Sequence, residues 1–159
     1  MKTLTSYLNQ TSQVGFDVEN YLSKSSGYAR NVMPQIDDKH LDYVVNHFKK
    51  HDKWDIKKRT MMAASLKPAQ NEINMSKVDS ILKSGFISSG DVKKKVFIAS
   101  KDGFLADGHH AHVAALSTNS SIPLQVMQTN LPIDKLLKVL NQLKVTYKKE
   151  IHEAKMNEK

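Results

Sequence analysis

KDGFLADGHHAHVAAL (residues 101–116) carries two Asp-Gly pairs, and each marks a change of chain direction. Asp102-Gly103 lies between two apolar runs, Val96, Phe97 and Ile98 before it and Phe104 and Leu105 after it. That pattern predicts a β-hairpin closed by a type I′ turn. Asp107-Gly108 follows the returning strand, and the small residues beyond it predict a helix ending near Asn119. The first N–H groups of a helix lack partners and carry partial positive charge. A strand–Gly–helix junction is therefore suited to a phosphate: Gly108 admits close approach, and Asp107 can cap the helix or hold a cation.

Three histidines open this helix. His109 and His112 share a face, and His110 lies about 100° from His109. Three readings are open here. A metal pair is one, although zinc usually takes three or more protein ligands and no third is evident. A histidine that binds phosphate or acts as general base is the second. The third is histidines filling a partly buried helix start. Ala111, Ala114 and Ala115 are small enough for close packing on a sheet or ligand.

Outward from the motif, residues 1–35 are polar and read as an arm that Phe16, Tyr21 and Leu22 anchor. Asp37 and Asp38 cap a helix over about 38–51, with Leu41, Val44, Val45 and Phe48 at helical spacing. LKPAQNEI (66–73) is extended and breaks at Pro68. Ser76 caps a short helix that buries Val78, Ile81 and Leu82 and stops at Gly85. IPLQVMQT (122–129) is a strand with Leu124 and Val126 inward. Pro132 starts a long helix carrying Ile133, Leu136, Leu137, Leu140 and Leu143 past Tyr147 into a charged tail. Its apolar stripe either closes the core or forms a homodimer. The expected fold class is α+β: a small mixed sheet with helices around it, an N-terminal helical arm and a long C-terminal helix. The expected units are an arm (1–35), a domain (36–146) and a tail (147–159).

Composition narrows the function. The 159 residues include no cysteine, which excludes disulfides, Cys-zinc sites and thiol catalysis. No run of about 18 apolar residues predicts a membrane span, and the start lacks the apolar core of a secretory signal. A cytoplasmic protein is expected. Lys and Arg number 24 against 16 Asp and Glu, a net charge of +8, which favours anionic partners. KKHDKWDIKKR (49–59) interleaves Trp54 with Lys49, Lys50, Lys53, Lys57, Lys58 and Arg59, as a DNA-binding surface does; a solvated helix end gives the same pattern. A further run, KKK, occupies 93–95.

Taken in order, Leu66, Lys67, Pro68, Gln70, Glu72, Ser100, Lys101, Asp102, Asp107, Gly108, His109, His110, Ala114 and Ala115 resemble the ParB/sulfiredoxin superfamily. The likeness is to ParB-like domains of tailed-phage proteins, with their LKPTQ-x-E and DGHHR segments. It covers residues 30 to about 130, RNVMPQI (30–36) included. It implies a nucleotide pocket at the start of the motif helix, with Mg²⁺ and a nucleoside di- or triphosphate. By the same resemblance Asp107 positions the metal or substrate, and Gly108, His109 and His110 hold phosphate. Glu72 is the candidate base, and Gln70 contacts the nucleobase or the loop. The resemblance also implies the host cell cytoplasm for a phage-encoded protein.

One departure falls within the motif. Ala111 stands where the family carries arginine, and alanine cannot supply a charged fork for phosphate. His112, one position on, is counted with Lys67 among the phosphate-binding candidates, although it faces elsewhere on the helix and substitutes poorly for arginine. A binding-only descendant, other cations such as Lys67 or Arg30, and an inactivating change are all open. The leading expectation is nucleotide-dependent phosphotransferase or NTPase chemistry. A ParB-like DNase using a divalent metal and a non-enzymatic DNA- or protein-binding phage factor are the alternatives. A sulfiredoxin reaction is excluded by the missing cysteine.

Overall fold

A computed structural model describes residues 16–144 and 146–148. In chain order the elements are α1 (Val18–Leu22), β1 (Pro34–Gln35), α2 (Leu41–Lys49), β2 (Ile56–Met62), β3 (Lys67–Pro68), α3 (Met75–Lys83), β4 (Val96–Ala99), β5 (Phe104–Asp107), α4 (His109–Thr118), β6 (Pro123–Thr129), α5 (Ile133–Asn141) and β7 (Tyr147–Lys148). The fold is a mixed α+β arrangement around a five-stranded sheet of order β2-β6-β4-β5-β3. β4 runs parallel to β6 and antiparallel to β5, β3 runs parallel to β5, and β2 runs antiparallel to β6.

β4 reads as an unbroken apolar run because both faces of the sheet are covered there. Ile98 packs with Val44 and Phe48 of α2 and with Leu136, Leu137 and Leu140 of α5. Phe97 and Ala99 point the other way, toward Leu105, Val126, Ala111 and Ala115. α4 lies in that second layer, with residues 109–115 all buried. A helix buried all round has no polar face, which is why it shows no amphipathic stripe in sequence.

The hairpin turn differs from the expected type I′. That turn needs positive φ at Asp102, and among the described residues only glycines have it. Gly103 (φ +86) donates to the Ser100 carbonyl at 3.1 Å, and Ser100 N–H donates to the Phe104 carbonyl at 2.9 Å. This is a type I turn followed by a left-handed glycine bulge. The cap of α3 also lies two residues earlier than expected. Asn74, not Ser76, caps it, and its side chain accepts from Ser76 N–H at 3.0 Å.

The long C-terminal helix is not present as such. α5 ends at Asn141, and the chain returns as β7 to pair antiparallel with β1. Ile133, Leu136, Leu137, Leu140 and Leu143 are all buried in one chain's core, while Lys135 and Lys138 face solvent. The arm is part of the core as well. Val18 and Tyr21 of α1 are buried against Val78 and Val113, with Phe16 and Leu22 packed beside them. Residues 1–15 of the arm and 149–159 of the tail lie outside the described residues. No helix among the described residues is long and apolar enough to cross a membrane.

Candidate functional site

Gly108 joins β5 to α4 with φ +91, and a Cβ there would lie 2.7 Å from the Phe97 ring. Glycine is required by conformation and by space at once. The Lys95 side chain is close as well, with its Cε 3.2 Å from the same position.

The three histidines beyond Gly108 are buried, and each holds a backbone segment. His109 Nε2 accepts from Ala69 N–H at 3.0 Å and from Gln70 N–H at 3.2 Å. His110 Nε2 accepts from Asn74 N–H at 3.1 Å. An imidazole nitrogen that accepts carries no proton, so in both rings the proton is on Nδ1. His112 Nε2 donates to the Ala63 carbonyl at 2.7 Å, and its Nδ1 accepts from Tyr21 Oη at 2.8 Å. Burial pushes its pKa down to about 4, a fall the Ala63 hydrogen bond partly opposes. Burial also raises the Tyr21 phenol well above its ordinary range. The segment from Ala63 to Asn74 has only the two-residue β3 in the sheet; the backbone of residues 26–28, Gly103, Ser120 and Ile122 bonds part of it, and the Ala63 carbonyl and the N–H groups of Ala69, Gln70 and Asn74 take side-chain partners. The histidines supply them.

This geometry corrects the expected role of His112. It is fully buried and both ring nitrogens are bonded within the protein, which leaves none for a phosphate. Gln70 is buried too, and its side-chain amide donates to the Glu72 carbonyl. Glu72 is exposed on the loop before α3 and does not line the cleft described next. Ala111 packs in the apolar cluster with Phe97, Leu105 and Val126.

Beside the motif opens a cleft of about 580 Å³. Asp107 lines it from the end of β5, Gln35, Ile36, Asp37 and Asp38 from the β1–α2 connection, and Phe86, Asp91, Lys94 and Lys95 from the segment before β4. Ile36 N–H reaches Asp107 Oδ2 at 3.4 Å, tying the two walls together. Lys94 lies 3.9 Å from Asp91 in an exposed pair, and Lys95 Nζ lies 5.4 Å from the Phe97 ring centre. Of the expected site residues, only Asp107 lines this cleft. Lys67 lines a separate cleft of about 380 Å³ with Tyr21 and Lys24, and its ammonium sits 4.2 Å from the Phe104 ring centre. Arg30 is half-buried in a 3₁₀ turn and lines neither.

Lys94 and Lys95 belong to the KKK run, so their charge was visible in sequence, but their place beside Gly108 was not. Asp37 and Asp38 read as helix caps because the β1–α2 connection shows its partner only in three dimensions. Among the described residues no group of three or more His, Asp or Glu is placed to hold a metal ion. The cleft's carboxylates are hard oxygen donors, which suits Mg²⁺ held by one or two carboxylates and a ligand's phosphates.

The expected DNA-binding residues fall on α2's end and on β2. Lys49, Lys50, Lys53, Lys57, Lys58 and Arg59 are all exposed, and Trp54 is half-buried. The His51 ring stacks on Trp54, with centres 3.8 Å apart. Comparison with protein-family models, with curated proteins and with solved structures finds no match for this chain.

Proposed function

We propose that this chain binds a nucleoside di- or triphosphate, with Mg²⁺, in the cleft at the β5–α4 junction. The observation that carries the reading is the juxtaposition of Asp107, Lys94 and Lys95 in one cleft of about 580 Å³ beside Gly108. That volume is within the range of small-molecule sites, roughly 300–1,000 Å³. Lys94 and Lys95 supply positive charge for phosphates, and the half-buried Phe86 offers a ring for a base. Asp107, with Asp37, Asp38 or Asp91, would hold the Mg²⁺, whose chemistry is to neutralise charge on the phosphate oxygens. The ParB/sulfiredoxin resemblance points to the same end of the same strand.

On this reading Lys95 takes over the charge that Ala111 lacks. A phosphotransferase also needs a base for its acceptor. Asp37 and Asp38 line the cleft and Glu72 does not, so the base role moves to that pair.

The test is a thermal-shift panel with ATP, ADP and CTP in Mg²⁺, on the wild type, Asp107→Asn and Lys95→Ala. A ligand at about 100 times its Kd stabilises by about 2.7 kcal/mol. For a chain of this size that raises Tm by roughly 5–10 °C. One nucleotide should give this shift and both variants should lose it. If no nucleotide shifts the wild type, the reading fails. Phosphate release or transfer in the same buffer separates an enzyme from a binder. Plasmid cleavage without a nucleotide shift would move the chemistry to DNA.

A further inference from the structure

β2 is an outer strand of the sheet: one edge is paired with β6 over seven positions, and among the described residues no strand lies beside its other edge. Lys57, Lys58, Arg59 and Thr60 are exposed on both of its faces. α2 packs against β2, and its end and the loop that leads into β2 carry Lys49, Lys50 and Lys53, all exposed. Against these six cations stand Asp52 and Asp55, of which Asp55 lies 3.5 Å from Lys57. Arg59 donates from Nη1 to Gln128 Oε1 at 2.8 Å, one of the five N–H donors of its guanidinium. His51 is exposed, with its ring stacked on Trp54 at 3.8 Å and the His47 ring 5.3 Å from it.

From this we infer that the β2 ridge binds single-stranded nucleic acid, the cations meeting phosphates and the His51–Trp54 stack meeting a base. Three features favour a polyanion over a peptide strand or a second copy of the chain. Strand addition needs pockets for alternate side chains, and no residue of β2 lines the cleft at Asp107 or the one at Lys67. Lys-Lys-Arg in the middle of an open edge discourages strand pairing. An aromatic platform among cations is the arrangement by which sequence-tolerant single-strand binders hold bases and backbone. A membrane surface would call for apolar anchors, and the ridge exposes only Met62 among large apolar side chains. The inference does not depend on the nucleotide cleft, which lies on other elements.

Fluorescence anisotropy with a labelled single-stranded oligonucleotide of mixed sequence tests it. Four phosphate contacts give a slope of log K against log salt of about −3, so affinity falls roughly 50-fold between about 50 and 200 mM salt. Lys58→Glu/Arg59→Glu should abolish binding at the higher salt, with the Tm unchanged because both residues are exposed. His51→Ala should weaken binding roughly tenfold, through the lost stack. Lys135→Glu/Lys138→Glu on α5 should bind as wild type does. Wild-type affinity in the Lys58/Arg59 variant overturns the inference, as does equal loss in the α5 variant. Binding of duplex DNA or of phosphatidylserine vesicles in preference to the single strand overturns the choice of partner.

Discussion

Acidification reports on His112. The ring is sealed from solvent, accepts from Tyr21 and donates to Ala63, and burial lowers its pKa from 6.5 to about 4. Because the folded value lies below the unfolded one, the unfolded chain takes up the proton first as pH falls. Stability from this group is full above about pH 6.5, declines between about 6.5 and about 4, and levels off below. At about 1.4 kcal/mol per pH unit the whole decline is about 3 kcal/mol. That is a large part of the roughly 5–15 kcal/mol that holds a domain folded. Urea unfolding of the wild type and of His112→Gln, at intervals from about pH 7.5 to about pH 4.5, measures it. Other titrating groups act on both proteins and cancel in the difference. The stability gap between the two should narrow by about 2–3 kcal/mol across the window. Parallel curves would refute the buried, neutral imidazole.

Three further outcomes follow from the same contacts. Tyr21→Phe removes the hydroxyl that His112 Nδ1 accepts from; leaving a buried acceptor unsatisfied should cost about 1–3 kcal/mol in urea unfolding, and no loss would mean the bond is absent. Gly108→Ala combines a left-handed backbone with a Cβ 2.7 Å from the Phe97 ring, so a loss of about 2–5 kcal/mol is expected; an unchanged Tm would contradict the packing. Ala111→Arg forces a long charged chain into the cluster of Phe97, Leu105 and Val126 and should cost about 1–3 kcal/mol, whereas a neutral result would put position 111 at the surface.

Where local pattern and burial agree, the sequence shows the element. The apolar run of β4, the Asp-Gly turn into β5, the helix after Gly108 and the alternation of Leu124 and Val126 are all legible for that reason. β2 was not legible: IKKRTMM has no apolar alternation, because an edge strand with exposed faces has little to bury. α5 looked longer than it is, since Leu143 continues the helical spacing after the helix has ended; a buried loop residue and a helical one look alike at that position. The cleft was legible only at Asp107. Its other walls come from residues 35–38 and 86–95, distant in the chain, and proximity of that kind leaves no local pattern.

The histidines explain how a motif can be dense in chemistry and yet structural. α4 is buried along residues 109–115, and at its boundary with the Ala63–Asn74 segment three N–H groups and the Ala63 carbonyl take side-chain partners, so buried acceptors and a donor are needed there. A neutral imidazole provides one of each on a rigid ring, which lysine or glutamate cannot do without burying a charge. His109, His110 and His112 thereby tie α4 to the loop at Ala69, Gln70, Asn74 and Ala63. That cross-linking fixes the end of β5, and with it Asp107 and the Gly108 turn against Phe97 and Lys95. A phosphate site gains from such fixed walls, because little ordering remains to be done when ligand arrives. On the proposed reading the histidines build the wall, and Lys94, Lys95 and the carboxylates of the cleft meet the ligand. Alanine at position 111 fits that division of labour, since it packs on the wall's inner side and leaves the cleft lining unchanged.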